Sequence, residues 1–137
     1  FALMLLKWLV NNIPTSTDLK WFLGGGGMIK GKHPHAGYMN GGEKLWFWVL
    51  FAGGMALLGS GLVLDFPIFT ALRDDLQTAN IVHAISSLVL ICGALGHAYI
   101  GTLGTEGALE GMVTGQVDEV WAKQHHDLWY DEVKNKK

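Results

Sequence analysis

The chain has 137 residues, of which half are hydrophobic and 16% are charged, and its mean hydropathy is +0.26. This composition is more apolar than that of an average soluble domain and favours a membrane protein. The formal charge of −2 shows no basic excess, which excludes a nucleic-acid-binding role.

The first part of the chain combines a short apolar run with a glycine-rich segment. The opening run FALMLLKWLV contains Lys7 and is too short to cross a bilayer. We therefore interpret residues 1–14 as the end of a span that begins upstream. Residues 15–44 form a glycine-rich, irregular loop with four lysines, against a single Arg73 in the next loop. By the positive-inside rule, the glycine-rich loop is predicted to be cytoplasmic.

Two long uncharged stretches predict transmembrane helices. Residues 45–64 are twenty positions without a charge, and a helix of that length spans roughly 30 Å, the thickness of the hydrocarbon core. Residues 78–103 form the second predicted span. In the first span, Ala52, Ala56 and Ser60 make a ridge of small side chains, which we interpret as a helix-packing surface.

The remaining segments are predicted to lie outside the membrane. Residues 65–77 connect the two spans as an outer loop, and residues 104–137 return to the cytoplasm as a tail. Within the tail, apolar residues at helical spacing predict one surface helix over Asp118–Val133. The sequence therefore predicts an all-α membrane protein.

The second span carries the residues that indicate chemistry, His83 and His97. They are fourteen residues apart, which places them within about 40° of one helix face and roughly 21 Å apart along the axis. Two haems stacked across a bilayer would each need an imidazole at such a depth. No Cys-x-x-Cys-His run is present, so these haems would be held by ligation alone. Small residues lie four positions before and after each histidine: Ala79, Ser87, Gly93 and Gly101.

A polar cluster before the first span indicates a second kind of site. A quinone headgroup needs hydrogen bonds to its two carbonyl oxygens, and a polar loop at the membrane surface could supply them. The candidate residues are His33, His35, Tyr38, Asn40, Glu43 and Lys44. The tail residues His125 and His126 are interpreted as solvated surface residues.

Three runs carry a resemblance to a known family: GGGGMIKGKHPHAGYMNGGEKLWFW, HAISSLVLICGALGHAYIGT and GALEGMVTGQVDEVWAKQHHDLWY. In these runs the chain resembles the C-terminal part of the cytochrome b subunit of membrane-bound formate dehydrogenases. The resemblance implies a multi-pass, four-helix cytochrome of the bacterial inner membrane with two b haems. It also implies two partners, an iron-sulfur subunit and a molybdenum- or tungsten-containing catalytic subunit, in which formate is oxidised.

The resemblance also implies roles for individual residues. His83 would ligate the haem near the outer face, which receives electrons from the iron-sulfur subunit. His97 would ligate the haem near the cytoplasmic face. A quinone would bind beside this inner haem, near Asn40, Gly42 and His97. The second ligand of each haem would come from earlier helices, since no histidine precedes His33.

Two other functions remain open from the residues alone. The chain could be the cytochrome b subunit of another quinone-linked dehydrogenase, such as a nickel-iron hydrogenase. It could also be a haem-free membrane anchor, in which His83 and His97 only form hydrogen bonds between helices.

Overall fold

The structure is a computed structural model that describes residues 2–27, 29, 33–66 and 73–136. Within these residues all regular structure is helical and no strand occurs. The α-helices are α1 (Ala2–Trp8), α2 (Ser16–Leu23), α3 (Gly41–Asp65), α4 (Arg73–Tyr99), α5 (Ala108–Thr114), α6 (Glu119–His125) and α7 (Asp127–Asn135). A 3-10 turn, Val10–Asn12, follows α1, and a π-helix, Ile100–Gly104, continues α4.

Two helices in the described part of the chain are long and apolar enough to cross a membrane. They are Gly41–Asp65, with a mean hydropathy of 2.0, and Arg73–Gly104, with a mean hydropathy of 1.8. Only 6% and 0% of their most apolar windows are buried, so these helices are not the enclosed core of a soluble domain. The large exposed apolar area requires lipid or neighbouring helices to cover it. The predicted all-α membrane protein is confirmed.

Both helices begin earlier than the uncharged stretches 45–64 and 78–103. The first turn of α3 contains Glu43, and that of α4 contains Asp74 and Asp75. Acidic side chains are favourable at a helix N-terminus, where the helix dipole is positive. These charged residues therefore belong to the first turn of each helix, and the helix begins before the uncharged stretch. Lys30 and Lys32 of the predicted cytoplasmic loop, and residues 67–72 of the predicted outer loop, lie outside the described residues.

The chain divides into two compact units. The first consists of Phe1–Phe47 and Tyr99–Lys137, and the second is Trp48–Ala98. The first unit thus combines the glycine-rich segment with the tail, whereas the second contains the middle of both long helices.

In the first unit, a carboxylate joins α2 to the start of α3. Asp18 Oδ2 accepts hydrogen bonds from the Thr15 N–H (2.6 Å), the Thr15 hydroxyl (2.8 Å) and Lys44 Nζ (2.9 Å). Burial raises the pKa of Asp18, but the hydrogen bonds from Lys44 and Thr15 outweigh it and lower the pKa below the ordinary 3.8. The stabilisation by this carboxylate is therefore complete above pH 3.8 and is lost as the pH falls through the lower folded value.

The close contact between α2 and α3 depends on a glycine. A Cβ atom on Gly41 would lie 2.9 Å from Trp21 Cε3 and 3.3 Å from the Asp18 carbonyl oxygen. A side chain at this position would push the two helices apart. The loop predicted over residues 15–44 thus contains a helix, because Thr15 and Asp18 cap its first turn and Gly41 admits it beside α3.

In the second unit, α3 and α4 pack against each other in opposite directions. A Cβ on Gly53 would lie 2.8 Å from Leu90 Cδ2, and Ser60 Oγ lies 2.9 Å from His83 Nδ1. Moving seven residues along α3, from Gly53 to Ser60, therefore moves seven residues back along α4. The small residues of α3 allow the close approach, and the predicted packing surface includes a polar contact at Ser60.

The tail contains two helices where the sequence predicted one over Asp118–Val133. α6 ends at His125 and α7 begins at Asp127, because His126 takes a non-helical conformation with φ −144° and ψ 52°. The carboxylate of Asp118 caps α6 by accepting from the backbone N–H groups of Val120 and Trp121. The prediction of one continuous helix was wrong at this single residue.

Replacing Asp18 by alanine is expected to loosen α2, because Lys44 and Thr15 lose their shared acceptor. Losing hydrogen bonds to a charged group costs about 1.5–3 kcal/mol, which corresponds to roughly ten- to a hundredfold faster amide exchange in α2. Exchange is measured by mass spectrometry on the detergent-solubilised protein. The control is Asp131→Ala, at an exposed position on α7. Unchanged exchange in Asp18→Ala would contradict the role of this carboxylate.

Candidate functional site

His83 lies on α4 and is held from α3 through one ring nitrogen. Its Nδ1 lies 2.9 Å from Ser60 Oγ, and no partner among the described residues binds Nε2. Ala79, four residues before His83, is buried, and a Cβ on Gly61 would lie at an ordinary contact distance of 3.5 Å from His83 Cε1. Ser87 Oγ donates to the His83 carbonyl oxygen at 2.8 Å, so this hydroxyl is bound to the backbone of His83 and not to its imidazole ring. The imidazole is oriented while its second nitrogen stays available.

His97 lies further along the same helix, with an exposed side chain. α4 is uninterrupted from Arg73 to Tyr99, so the two histidines are roughly 21 Å apart along the axis. The helix then widens into the π-helix Ile100–Gly104. Short π-helical segments are frequent at functional sites because they change the direction of the side chains around them.

Asn40 and Gly42 lie together at the start of α3, in the first unit, whereas His83 and His97 belong to the second. The Glu43 N–H donates to Asn40 Oδ1 at 3.0 Å, and the Asn40 N–H donates to Glu43 Oε2 at 2.7 Å. This reciprocal cap engages one of the two lone pairs of the Asn40 amide oxygen. Only its Nδ2 group is left to donate to a ligand. A Cβ on Gly42 would lie 3.3 Å from Asn40 Oδ1 and 3.1 Å from Trp21 Cη2.

The segment before Asn40 is bound by the tail, in a set of interactions that we call the loop–tail contact (residues 35–38 with 126–129). Asp127 is its centre: one carboxylate oxygen pairs with His35 Nδ1, and the other accepts from the Ala36 N–H at 2.9 Å. Three further interactions complete the contact. These are Leu128 N–H to Ala36 O (3.1 Å), His126 Nδ1–H to Gly37 O (2.8 Å) and the rings of Tyr38 and Trp129.

The loop–tail contact includes some of the few buried residues of the first unit. Ala36 is 2% exposed and His126 is 7% exposed. The interpretation of His126 as a solvated surface residue was therefore wrong. Its ring is buried because a backbone carbonyl on the glycine-rich segment satisfies Nδ1, and nothing in the tail sequence alone indicated that partner.

The ionisation of the loop–tail contact follows from burial and from its hydrogen bonds. Burial raises the pKa of Asp127, but hydrogen bonds from His35 and from the N–H groups of Ala36 and Leu128 outweigh it and lower the pKa. Burial lowers the pKa of His125 below the ordinary 6.5, and the nearby rings of His33 and His126 lower it further. At neutral pH, Asp127 is thus ionised and His125 is neutral.

The histidines of the first unit do not form a metal site. No group of three or more His, Cys, Asp or Glu residues in the described ranges could hold a metal ion. His33 and His35, which the sequence assigned to the surroundings of a quinone, border an open cavity of about 490 Å³. The cavity is lined by Thr17, Lys20, Gly24, His33, Pro34, His35 and Leu128. Asn40 and Gly42 are not among these lining residues.

The comparison with protein families decides the class of the chain. Residues 1–115 match the family described as prokaryotic cytochrome b561. The chain belongs to this cytochrome b561 family. The family is one of b-type cytochromes, whose cofactor is haem b, and the oriented His83 with its available Nε2 fits such a cofactor.

Several curated proteins are similar to this member of the cytochrome b561 family. The cytochrome b556(Fdn) subunit of nitrate-inducible formate dehydrogenase from Escherichia coli K12 is 30% identical over 135 residues, or 95% of this chain and 62% of the relative. The formate dehydrogenase cytochrome b556 subunit of Haemophilus influenzae is 35% identical over 95% of this chain and 56% of the relative. The chain therefore spans about three-fifths of the length of these relatives. The resemblance seen in the sequence is confirmed.

Ser60 is the functional candidate that the sequence did not single out. Its position in a ridge of small residues indicated packing alone. A signal was present, because a hydroxyl is the one polar group on that ridge and a polar group in a membrane helix needs a partner inside the protein. Without the register of α3 against α4, that partner could not be identified as His83.

Attachment of the tail is expected to weaken in two steps as the pH falls. The first begins below pH 6.5, because unfolded His125 takes up a proton that the folded residue resists. The second lies below pH 3.8, where protonation of Asp127 removes its hydrogen bonds to His35 and Ala36. The measurement is amide exchange at Ala36 and Leu128 against pH, corrected for intrinsic rates.

Two variants separate these steps. His125→Gln is expected to abolish the upper step and keep the lower one, whereas Asp127→Asn is expected to abolish the lower step and keep the upper one. A single step that neither substitution changes would contradict the assigned ionisation.

Proposed function

We propose that the chain is the electron-transfer part of a formate dehydrogenase cytochrome b subunit, in which His83 and His97 are axial ligands of two b haems. The observation that carries the proposal is the orientation of His83, whose Nδ1 is bound by Ser60 while Nε2 is available. The position of His97 on the same uninterrupted helix supports it, since an axial separation of roughly 21 Å places two haems at different depths of the bilayer.

The proposed direction of electron transfer is from the outer to the cytoplasmic face. The haem at His83 receives electrons from an iron-sulfur subunit, and the haem at His97 passes them to a quinone. Formate itself would be oxidised in a separate molybdenum- or tungsten-containing subunit. The support comes from relatives that are named as cytochrome subunits of formate dehydrogenase and from the lysines in the glycine-rich segment, which favour a cytoplasmic side.

The proposed haem chemistry needs two protein ligands for each iron. A b-type haem in this arrangement takes two axial ligands, and His83 and His97 provide one each. The second ligand of each haem would come from a further helix of a multi-pass protein in the bacterial inner membrane. When bound, each haem would carry one electron at a time, while α4 supplies His83 and His97 and Ser60 of α3 orients the His83 ring.

The proposed quinone contact lies at the start of α3. A quinone carbonyl accepts hydrogen bonds, and the Nδ2 group of Asn40 is a donor that the helix cap leaves available. Gly42 adds no side chain beside Asn40 Oδ1, where the Trp21 ring already lies close, since a Cβ on Gly42 would be 3.1 Å from Trp21 Cη2. Inward electron transfer works against the membrane potential by roughly 2.3 kcal/mol per charge per 100 mV, so the donor must be strongly reducing, as formate is.

The cytochrome subunit of a nickel-iron hydrogenase is the second candidate. It would share haem ligation and quinone reduction and differ only in the electron donor. The identity of the chain to relatives named for formate dehydrogenase favours formate. A haem-free anchor is disfavoured by membership of a cytochrome family.

Absorption spectra of the purified complex test the proposal. We expect a b-type band after reduction by dithionite and again after addition of formate. Replacing His83 or His97 by alanine is expected to remove about half of the band, because each substitution deletes the ligand of one haem. The control is His125→Gln, a tail position where both haems should remain.

Each other outcome has a definite meaning. A band that responds to hydrogen but not to formate would identify a hydrogenase subunit. A complex that contains no b-type band would identify a membrane anchor. A full band in both His→Ala variants would exclude His83 and His97 as ligands.

A further inference from the structure

Ser60 is a nearly buried hydroxyl within a membrane-spanning helix. It is 5% exposed and lies in the second unit, at the level of His83. Its Oγ is 2.6 Å from the Ala56 carbonyl oxygen, 3.3 Å from the Leu57 carbonyl oxygen and 2.9 Å from His83 Nδ1. Three polar atoms thus surround a group that has only one proton to donate.

The hydroxyl of Ser60 donates its hydrogen bond within its own helix. The Ala56 carbonyl can only accept, and at 2.6 Å it makes the shorter of the two backbone contacts. Since the hydroxyl donates there, its oxygen must act as the acceptor towards His83. The ring nitrogen that faces Ser60 therefore carries the hydrogen.

This assignment fixes the tautomer of the imidazole. A neutral histidine with hydrogen on Nδ1 has its lone pair on Nε2, which is the form that binds a metal. Histidine ligands in metalloproteins usually donate their second ring N–H to a fixed acceptor, which sets the ring orientation and makes the ligand more basic. Ser60 meets this requirement from the neighbouring helix.

We propose that Ser60 is a positioning residue for the haem of His83 and lowers the reduction potential of that haem. The inference rests on the proposed function, in which His83 is an axial ligand. A hydrogen bond from Nδ1–H to the Ser60 oxygen increases electron donation from Nε2 to the iron and thereby favours the oxidised state. The apolar surroundings strengthen the bond.

The register of α3 against α4 keeps this contact in place. One heptad away, Gly53 allows Leu90 to pack directly on the α3 backbone, with an added Cβ only 2.8 Å from Leu90 Cδ2. This close contact opposes sliding of the helices. Ser60 thus stays at the level of His83 without further polar partners on α4.

The test is a redox titration of each haem in the complete purified complex. For Ser60→Ala we expect a roughly tenfold change in the ratio of oxidised to reduced haem at a fixed potential, which is a shift of about 59 mV for one electron, towards easier reduction. Only the haem that His83→Ala removes should shift. The low-spin electron paramagnetic resonance signal of the same haem should move with it.

Matched variants separate positioning from packing. Ser60→Thr keeps the hydroxyl and should retain the wild-type potential. Ser87→Ala removes a hydroxyl that donates to the His83 backbone rather than to its ring, so it should shift neither haem. If Ser60→Ala fails to assemble, Ser60→Cys decides, because a thiol fills similar space but is a weak acceptor.

The outcomes distinguish this inference from the proposed function. If His83→Ala removes a haem but Ser60→Ala and Ser60→Cys leave its potential unchanged, the inference is wrong and the function stands. An equal shift of both haems would also overturn the inference. If His83→Ala retains both haems, the proposed function itself fails.

Discussion

A hydrogen bond between Ser60 and His83 joins the two long helices of this protein. Inside a bilayer there is no water to satisfy a polar side chain, so each such group must find its partner within the protein. α3 and α4 meet this demand at Nδ1 of His83, while Nε2 has no partner among the described residues. Packing at Gly53 and the polar contact at Ser60 therefore both fix the position of the His83 imidazole between apolar helices.

The long helices could be predicted from the sequence because their signal is local. Twenty uncharged residues between Glu43, Lys44 and Asp65 are enough to identify a span, and the structure places α3 over that stretch. The spacing of His83 and His97 is likewise a property of one helix. Their common face follows from the helical repeat and needs no knowledge of any neighbour.

Other features could not be predicted because they depend on contacts between distant residues. His126 breaks the predicted tail helix and is buried against Gly37, which lies 89 positions earlier. Ser60 meets His83 only through the register of α3 against α4. α2 exists within a supposed loop because Asp18 caps it and Lys44 holds it. In each case a polar group finds a partner that composition and periodicity do not reveal.

The cap of α3 affects how the proposed quinone contact would work. Asn40 Oδ1 accepts the Glu43 N–H, which engages one of its two lone pairs, whereas both N–H groups of Nδ2 are available to donate. These donors bind the carbonyl oxygens of a quinone more strongly than the hydroxyl oxygens of the reduced ring, which are weaker acceptors. Two electrons and two protons convert the first kind of ring into the second. A quinone bound by Asn40 would thus be held less tightly once it is reduced. Reduction itself would then favour release of the product.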